Sequence, residues 1–267
     1  MKKTNNFLTV GLSLLACCMT ACSSSDDTPL ENESGNTVTA AGTVAISVSA
    51  NTSYSDVSGR SLDESDYATL SNYTVELVQD GDILYSWSYS ELPDSQELSN
   101  GTYTLLAYCG EDEAASTTTM YVYGETEFTI DSEDQTVSVS CEPVCARVTV
   151  DFDSSMSTYF SDYSVDFSTN ALGSDTFNWA KSETGPVYLK VDEEETVTAT
   201  INTTLSSTGA TSSADYTYTL SPLDAMTLHI SASASSTSTD GTLSLTISID
   251  EETNDQEITI EIPNDWK

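Results

Sequence analysis

Positive charge is scarce in this sequence. Seven Lys and Arg stand against 43 Asp and Glu among 267 residues, a formal net charge of −36 at pH 7. A field of that sign repels phosphate backbones and anionic headgroups, which excludes nucleic acid and argues against peripheral binding to a membrane surface. Histidine is almost missing, since His229 is the sole imidazole. No Ser or Cys nucleophile therefore has a ready base, and His229 itself reads as a surface strand residue. The Cys-x-x-x-Cys spacing of Cys141 and Cys145 fits no zinc ribbon. Acidic runs such as Glu111-Asp112-Glu113 lack the Gly and terminal Glu of a calcium loop. No carboxylate pair is assignable to glycoside hydrolysis, which depends on a separation in space rather than a count. These gaps together imply a non-enzymatic protein without metal or cofactor.

Long apolar runs are also missing. The stretch 7–19 is too short for a stable transmembrane helix, but with Lys2 and Lys3 before it residues 1–21 read as an export signal. Met19-Thr20-Ala21-Cys22 resembles a bacterial lipobox, with Cys22 as the acylated first residue of the mature chain. Leu14-Leu15-Ala16-Cys17 is a competing box. Cys22 is preferred because Ser23-Ser24-Ser25-Asp26-Asp27 follows at once. Residues 22–41 are polar and read as a flexible tether. The expected location is the outer membrane, lipid-anchored and exposed at the cell surface.

Ser and Thr supply 81 residues. Residues of helical propensity at helical spacing are few, so the body reads as all-β. From Gly42 onward apolar and polar positions alternate, as in Val44, Ile46 and Val48 against Thr43, Ala45 and Ser47. Further strands are expected at 73–79, 83–89, 102–109, 126–130, 136–141 and 144–152. Asp80-Gly81 between the first two of these is a tight hairpin turn. The second half repeats the plan. Residues 71–77 (Ser-Asn-Tyr-Thr-Val-Glu-Leu) parallel 161–167 (Ser-Asp-Tyr-Ser-Val-Asp-Phe), 99–105 have a looser echo in 192–201, and 127–139 are echoed by 216–230. The expectation is two tandem antiparallel β-sandwich domains, 42–143 and 144–267, transthyretin-like or immunoglobulin-like, with a corner at Pro143.

Several residues could make contacts. Ile83, Tyr85, Trp87 and Tyr89 share one strand face that could stack sugar rings, but the reading taken is that Trp87 fills the sandwich core. Tyr121, Tyr123, Tyr216 and Tyr218 are placed near strand ends or edges as candidate ligand contacts. Cys109, Cys141 and Cys145 remain in the mature chain, an odd number that allows at most one internal disulfide. Cys109 and Cys141 both face the core and could meet, as a disulfide or as free thiols.

The run 85–93 (Tyr-Ser-Trp-Ser-Tyr-Ser-Glu-Leu-Pro), Glu97-Leu98, 101–105 (Gly-Thr-Tyr-Thr-Leu), 159–165 (Tyr-Phe-Ser-Asp-Tyr-Ser-Val) and 258–263 (Ile-Thr-Ile-Glu-Ile-Pro) accompany the lipobox. Together they resemble a Bacteroidales lipoprotein family known only as a domain of unknown function, which brings no site residues with it. In architecture the chain is more distantly similar to fimbrillin-like pilus subunits. That resemblance implies a structural or adhesive surface lipoprotein, with a glycan-binding accessory lipoprotein as the alternative. It also implies a protein partner recruited by strand addition. Fimbrillin-like precursors lose an N-terminal strand by proteolysis. Arg60, in the Ser- and Asp-rich stretch 51–72, is the corresponding candidate cleavage site, and 257–262 a candidate donor strand.

Overall fold

The computed structural model describes residues 41–54, 64–234, 243–250 and 256–261, with side chains through residue 233. The leader, Cys22, the tether and Arg60 lie outside these residues.

The first half is built from β1 (Ala41–Ala50), β2 (Thr74–Gln79), β3 (Asp82–Ser88), β4 (Gln96–Ser99), β5 (Gly101–Cys109), β6 (Ala115–Ser116), β7 (Val122–Ile130) and β8 (Gln135–Pro143). Asp80 and Gly81 both have positive φ, 54° and 87°. Such a two-residue turn matches the right-handed twist of the strands it joins, β2 and β3. Seven strands run in the order β3-β2-β5-β7-β8-β1-β4. The β7–β8 ladder is confined to Val122 with Pro143 and Tyr123 with Glu142. The sheet can therefore turn a corner there and fold over, with Val44, Val75, Leu77, Tyr103, Leu105 and Val139 inside. Gly124 sits at this corner. A Cβ on it would run into the Ser140 carbonyl oxygen, so no side chain fits between the strands.

The second half follows with β9 (Cys145–Phe152), β10 (Phe160–Ser168), β11 (Phe177–Ala180), β12 (Pro186–Lys190), β13 (Glu195–Leu205), β14 (Thr211–Leu220) and β15 (Ala225–Ala234). Its pairing repeats that of the first half. β1 lies between antiparallel β4 and parallel β8, and β9 lies between antiparallel β12 and parallel β15. β2 pairs with β3 and β5, and β5 with β7. In the same way β10 pairs with β11 and β13, and β13 with β14. The internal echoes in the sequence thus fall on matching strands, β2 with β10, β5 with β13, and β7 and β8 with β14 and β15. The sandwiches are not purely antiparallel, because the first and last strands of each seven-strand set lie side by side and parallel. β16 (Leu243–Asp250) and β17 (Gln256–Glu261) extend the second half beyond β15.

Two hydrophobic cores result, and both lie in one compact unit. Val148, Val165, Phe167, Val197, Ile201 and Leu228 fill the second. Each fully buried large side chain contributes about 1.5–3 kcal/mol. β9 is buried on both faces. Ala146, Val148 and Val150 enter the second core, whereas Cys145, with Tyr188 of β12, belongs to the first. β6 adds a further link, pairing with β12 through Ser116 and Ala115.

Candidate contact surfaces

The exposed large apolar side chains among the described residues are Ile83, Leu84 and Tyr85. All three are on β3, at one end of the seven-stranded order. Tyr85 is paired with Leu77 and Trp87 with Val75. Directly opposed residues share a face, so Tyr85 and Trp87 lie on the core side of the sheet. Val75 and Leu77 are fully buried, yet Tyr85 is 38 % exposed and Trp87 only half-buried. The apolar layer therefore runs past the edge of the opposite layer. The expectation that Trp87 fills the core is corrected accordingly: it packs against the core's rim. Its ring stacks on Tyr85 with centroids 5.2 Å apart and planes within 4°.

A second surface lies on the opposite face of the same sheet. Tyr108, Tyr121 and Tyr123 form a row, with centroid separations of 6.1 and 5.8 Å. Carboxylates flank it: Tyr108 donates to Glu76 at 3.1 Å and Tyr123 donates to Glu125 at 2.5 Å. Burial and then the neighbouring Asp112 push the Tyr121 hydroxyl up to about 12. Burial and the Glu125 hydrogen bond raise that of Tyr123 further. Both phenols thus stay protonated as donors across the physiological range.

The remaining predicted contacts divide. Tyr216 is half-buried against the second core, and Tyr218 is inside it, 8 % exposed, with its hydroxyl unpartnered. Their rings stack at 5.8 Å, but Tyr218 presents no surface to a ligand. The structure thus brings Tyr121 and Tyr123 together and keeps Tyr216 and Tyr218 in a separate sheet. The sequence reading missed Tyr108; its signal was the alternation in β5, which sets Tyr108 opposite Tyr123.

A buried polar knot joins the two halves. Arg147 of β9 is 7 % exposed and pairs with Glu64 at 3.0 Å. Tyr188 donates to the same Glu64 oxygen at 2.8 Å. The Tyr54 hydroxyl lies 3.2 Å from the Cys145 sulfur, and the Arg147 guanidinium sits over the Tyr54 ring. The connection from β1 to β2 is thus fastened to β9 and β12 at Tyr54 and Glu64. Cys109, Cys141 and Cys145 are all buried free thiols. Desolvation pushes Cys141 and Cys145 up to about 11. His229 is half-buried and lies 3.0 Å from the Asp151 carboxylate.

Among the described residues no cluster of His, Cys, Asp and Glu could hold a metal ion, and no helix is long and apolar enough to cross a membrane. A groove of about 410 Å³ is lined by polar residues such as Asp112, Asn170, Lys190 and Glu195 together with the apolar Ala114 and Val191.

The family profile for a domain of unknown function, DUF4493, matches residues 40–264. No curated protein matches the chain in sequence. Solved structures that it resembles include the fimbrial anchor protein Mfa2 from Porphyromonas gingivalis, at 12 % identity over 79 % of this chain and 97 % of that one, with a TM-score of 0.41. A fimbrial assembly protein from Parabacteroides distasonis matches at 12 % identity over 82 % and 98 %, with a TM-score of 0.39. A candidate adhesin from Bacteroides ovatus matches at 10 % identity over 82 % and 95 %, with a TM-score of 0.46.

Proposed function

The chain belongs to the DUF4493 family, a domain of unknown function, and from that premise we propose that it is a structural or adhesive lipoprotein of the outer-membrane surface, related in role to pilus components. In this reading Cys22 carries the lipid, residues 22–41 are the tether, and 42–143 and 144–267 are the two sandwich domains. The observation that carries the reading is the β3 edge, an exposed apolar strand on a strongly acidic body. Patches of that kind mark protein contact sites. The duplicated strand pairing supports the two-domain division. The position of β1, between β4 and β8 with Val44 and Val48 buried, makes it a strand whose loss after cutting at Arg60 would open a groove.

The test is the variant Cys22→Ala, followed by fractionation and protease shaving of intact cells. The wild-type chain fractionates with the outer membrane and is removed by shaving, and the variant is released. A variant that stays membrane-bound would sink the anchor at Cys22, and a wild-type chain protected from shaving would sink the surface location.

A glycan-binding accessory role is the second reading. It is favoured by the Tyr108–Tyr121–Tyr123 row with Glu76 and Glu125, since aromatic faces and carboxylates together suit a sugar's apolar face and hydroxyls. Glycan-array binding that is lost in Tyr121→Ala would support it.

A further inference from the structure

We propose that the free edge of β3 is a docking edge for an extended segment of another protein in which apolar and basic side chains alternate; this rests on the protein-contact reading above and names its partner.

The backbone supplies the first requirement. The Tyr89 amide donates to the Tyr73 carbonyl at 2.9 Å. Hydrogen-bonded pairs alternate along an antiparallel ladder, so Trp87 and Tyr85 bond toward β2. The amide and carbonyl groups of Ser86 and Ser88 then face away from it. Among the described residues no strand pairs on that side. Exposed edges are ordinarily blunted by Lys, Pro or inward charge. From Ile83 to Ser88 this strand has none of them. The bulge at Leu77 and Val78 shifts the register near Leu84 and leaves Tyr85 to Ser88 regular.

The side chains supply the second. On the core side, Tyr85 and Trp87 continue the apolar layer into solvent; the bulge sets Ile83 opposite Val78, on the other face. On the other side the carboxylates collect. Glu76 accepts from Ser86 at 3.2 Å, and Glu91 accepts from Ser88 at 2.9 Å. Asp80 and Asp82 are exposed at the turn. An added strand has period 2, so one set of its side chains covers the apolar shelf and the other meets the acids.

Charge then excludes a second copy as the occupant. The described cations Arg147, Lys181 and Lys190 are each paired with a carboxylate. Residues 22–41 contain acids and no cation. A chain of net charge −36 cannot supply the basic set to itself, so the partner is a different protein.

The experiment uses the purified full chain and three fluorescently labelled ten-residue probes: alternating Val and Lys, alternating Ser and Lys, and alternating Val and Glu. Fluorescence anisotropy gives the affinities. The Val/Lys probe is expected to bind at least about tenfold more tightly than either of the others, because both sets of side chains must be satisfied. Ser86→Pro removes an outward amide while leaving the β2 ladder intact, and Tyr85→Lys blunts the shelf. Each should abolish that preference while the far-ultraviolet circular dichroism is unchanged. Amide exchange at Ser86 and Ser88 should slow on binding. Equal binding of the Val/Lys and Ser/Lys probes would reduce the effect to charge attraction and overturn the proposal. A free chain that is already a dimer, and that Ser86→Pro disperses, would overturn it in favour of a second copy. If the probes fail while intact cells still adhere through the chain to immobilised protein, the edge assignment falls and the surface-contact reading stands.

Discussion

Glu64 does more than pair a charge. It accepts from both Arg147 and Tyr188, and it reaches β9 and β12 from the far end of the connection that follows β1. Removing it leaves the guanidinium of a nearly buried Arg147 without that carboxylate. Glu64→Ala should therefore lower stability by about 2 kcal/mol, the scale of hydrogen bonds to charged groups. Urea unfolding checks this, and a double-mutant cycle with Tyr188→Phe should show coupling between the two residues. The thiols give a pH prediction. Burial raises Cys141 and Cys145 from the ordinary value of 9.0 to about 11 in the folded chain. Such groups bind protons more tightly when folded. Their contribution is complete below pH 9 and is lost as pH rises toward 11. The urea midpoint should fall across that interval, less steeply in Cys141→Ser. At pH 8 iodoacetamide should leave all three thiols unmodified until the chain unfolds.

At the scale of elements, the alternating pattern located β1, β2, β3, β5, β7, β8 and β9 to within a few residues. Where one face of a strand is buried, period 2 shows in the sequence. β12 escaped notice because Pro186, Val187, Tyr188 and Leu189 are all buried, and a strand covered on both faces has no polar alternate. β4 and β6 are too short to show a period. The same logic explains the misplaced aromatics. The pattern tells which residues share a face; it does not tell how far the opposite layer extends. Trp87 and Tyr218 are both strand aromatics on a core-side face. Tyr218 is covered and Trp87 is left at the rim, because β3 overhangs its sandwich. The corner between β7 and β8 makes the prediction at this scale. Gly124→Ala places a methyl group against the Ser140 carbonyl, so the strands must part, at a cost of about 1–3 kcal/mol. Thermal unfolding reads it directly.

The whole molecule carries its charge at a cost. A chain of net charge −36 repels itself, and screening relieves that repulsion. The melting temperature should rise with sodium chloride, and a melting temperature that falls instead would mean that specific ion pairs outweigh the net field. The same charge opposes association between copies. The duplicated topology was legible from weak internal echoes because each echo fixed the order of strands, not their identity. What the body touches was not legible, since contact surfaces depend on which layer ends first. The proposed role of this chain is contact at the cell surface. The most direct measurement compares wild-type cells, cells lacking the chain and cells carrying Ser86→Pro for adhesion to immobilised basic protein under flow. Adhesion should fall when the chain is deleted and fall equally in Ser86→Pro, at unchanged surface abundance of the variant. Adhesion that is the same in all three strains would contradict it.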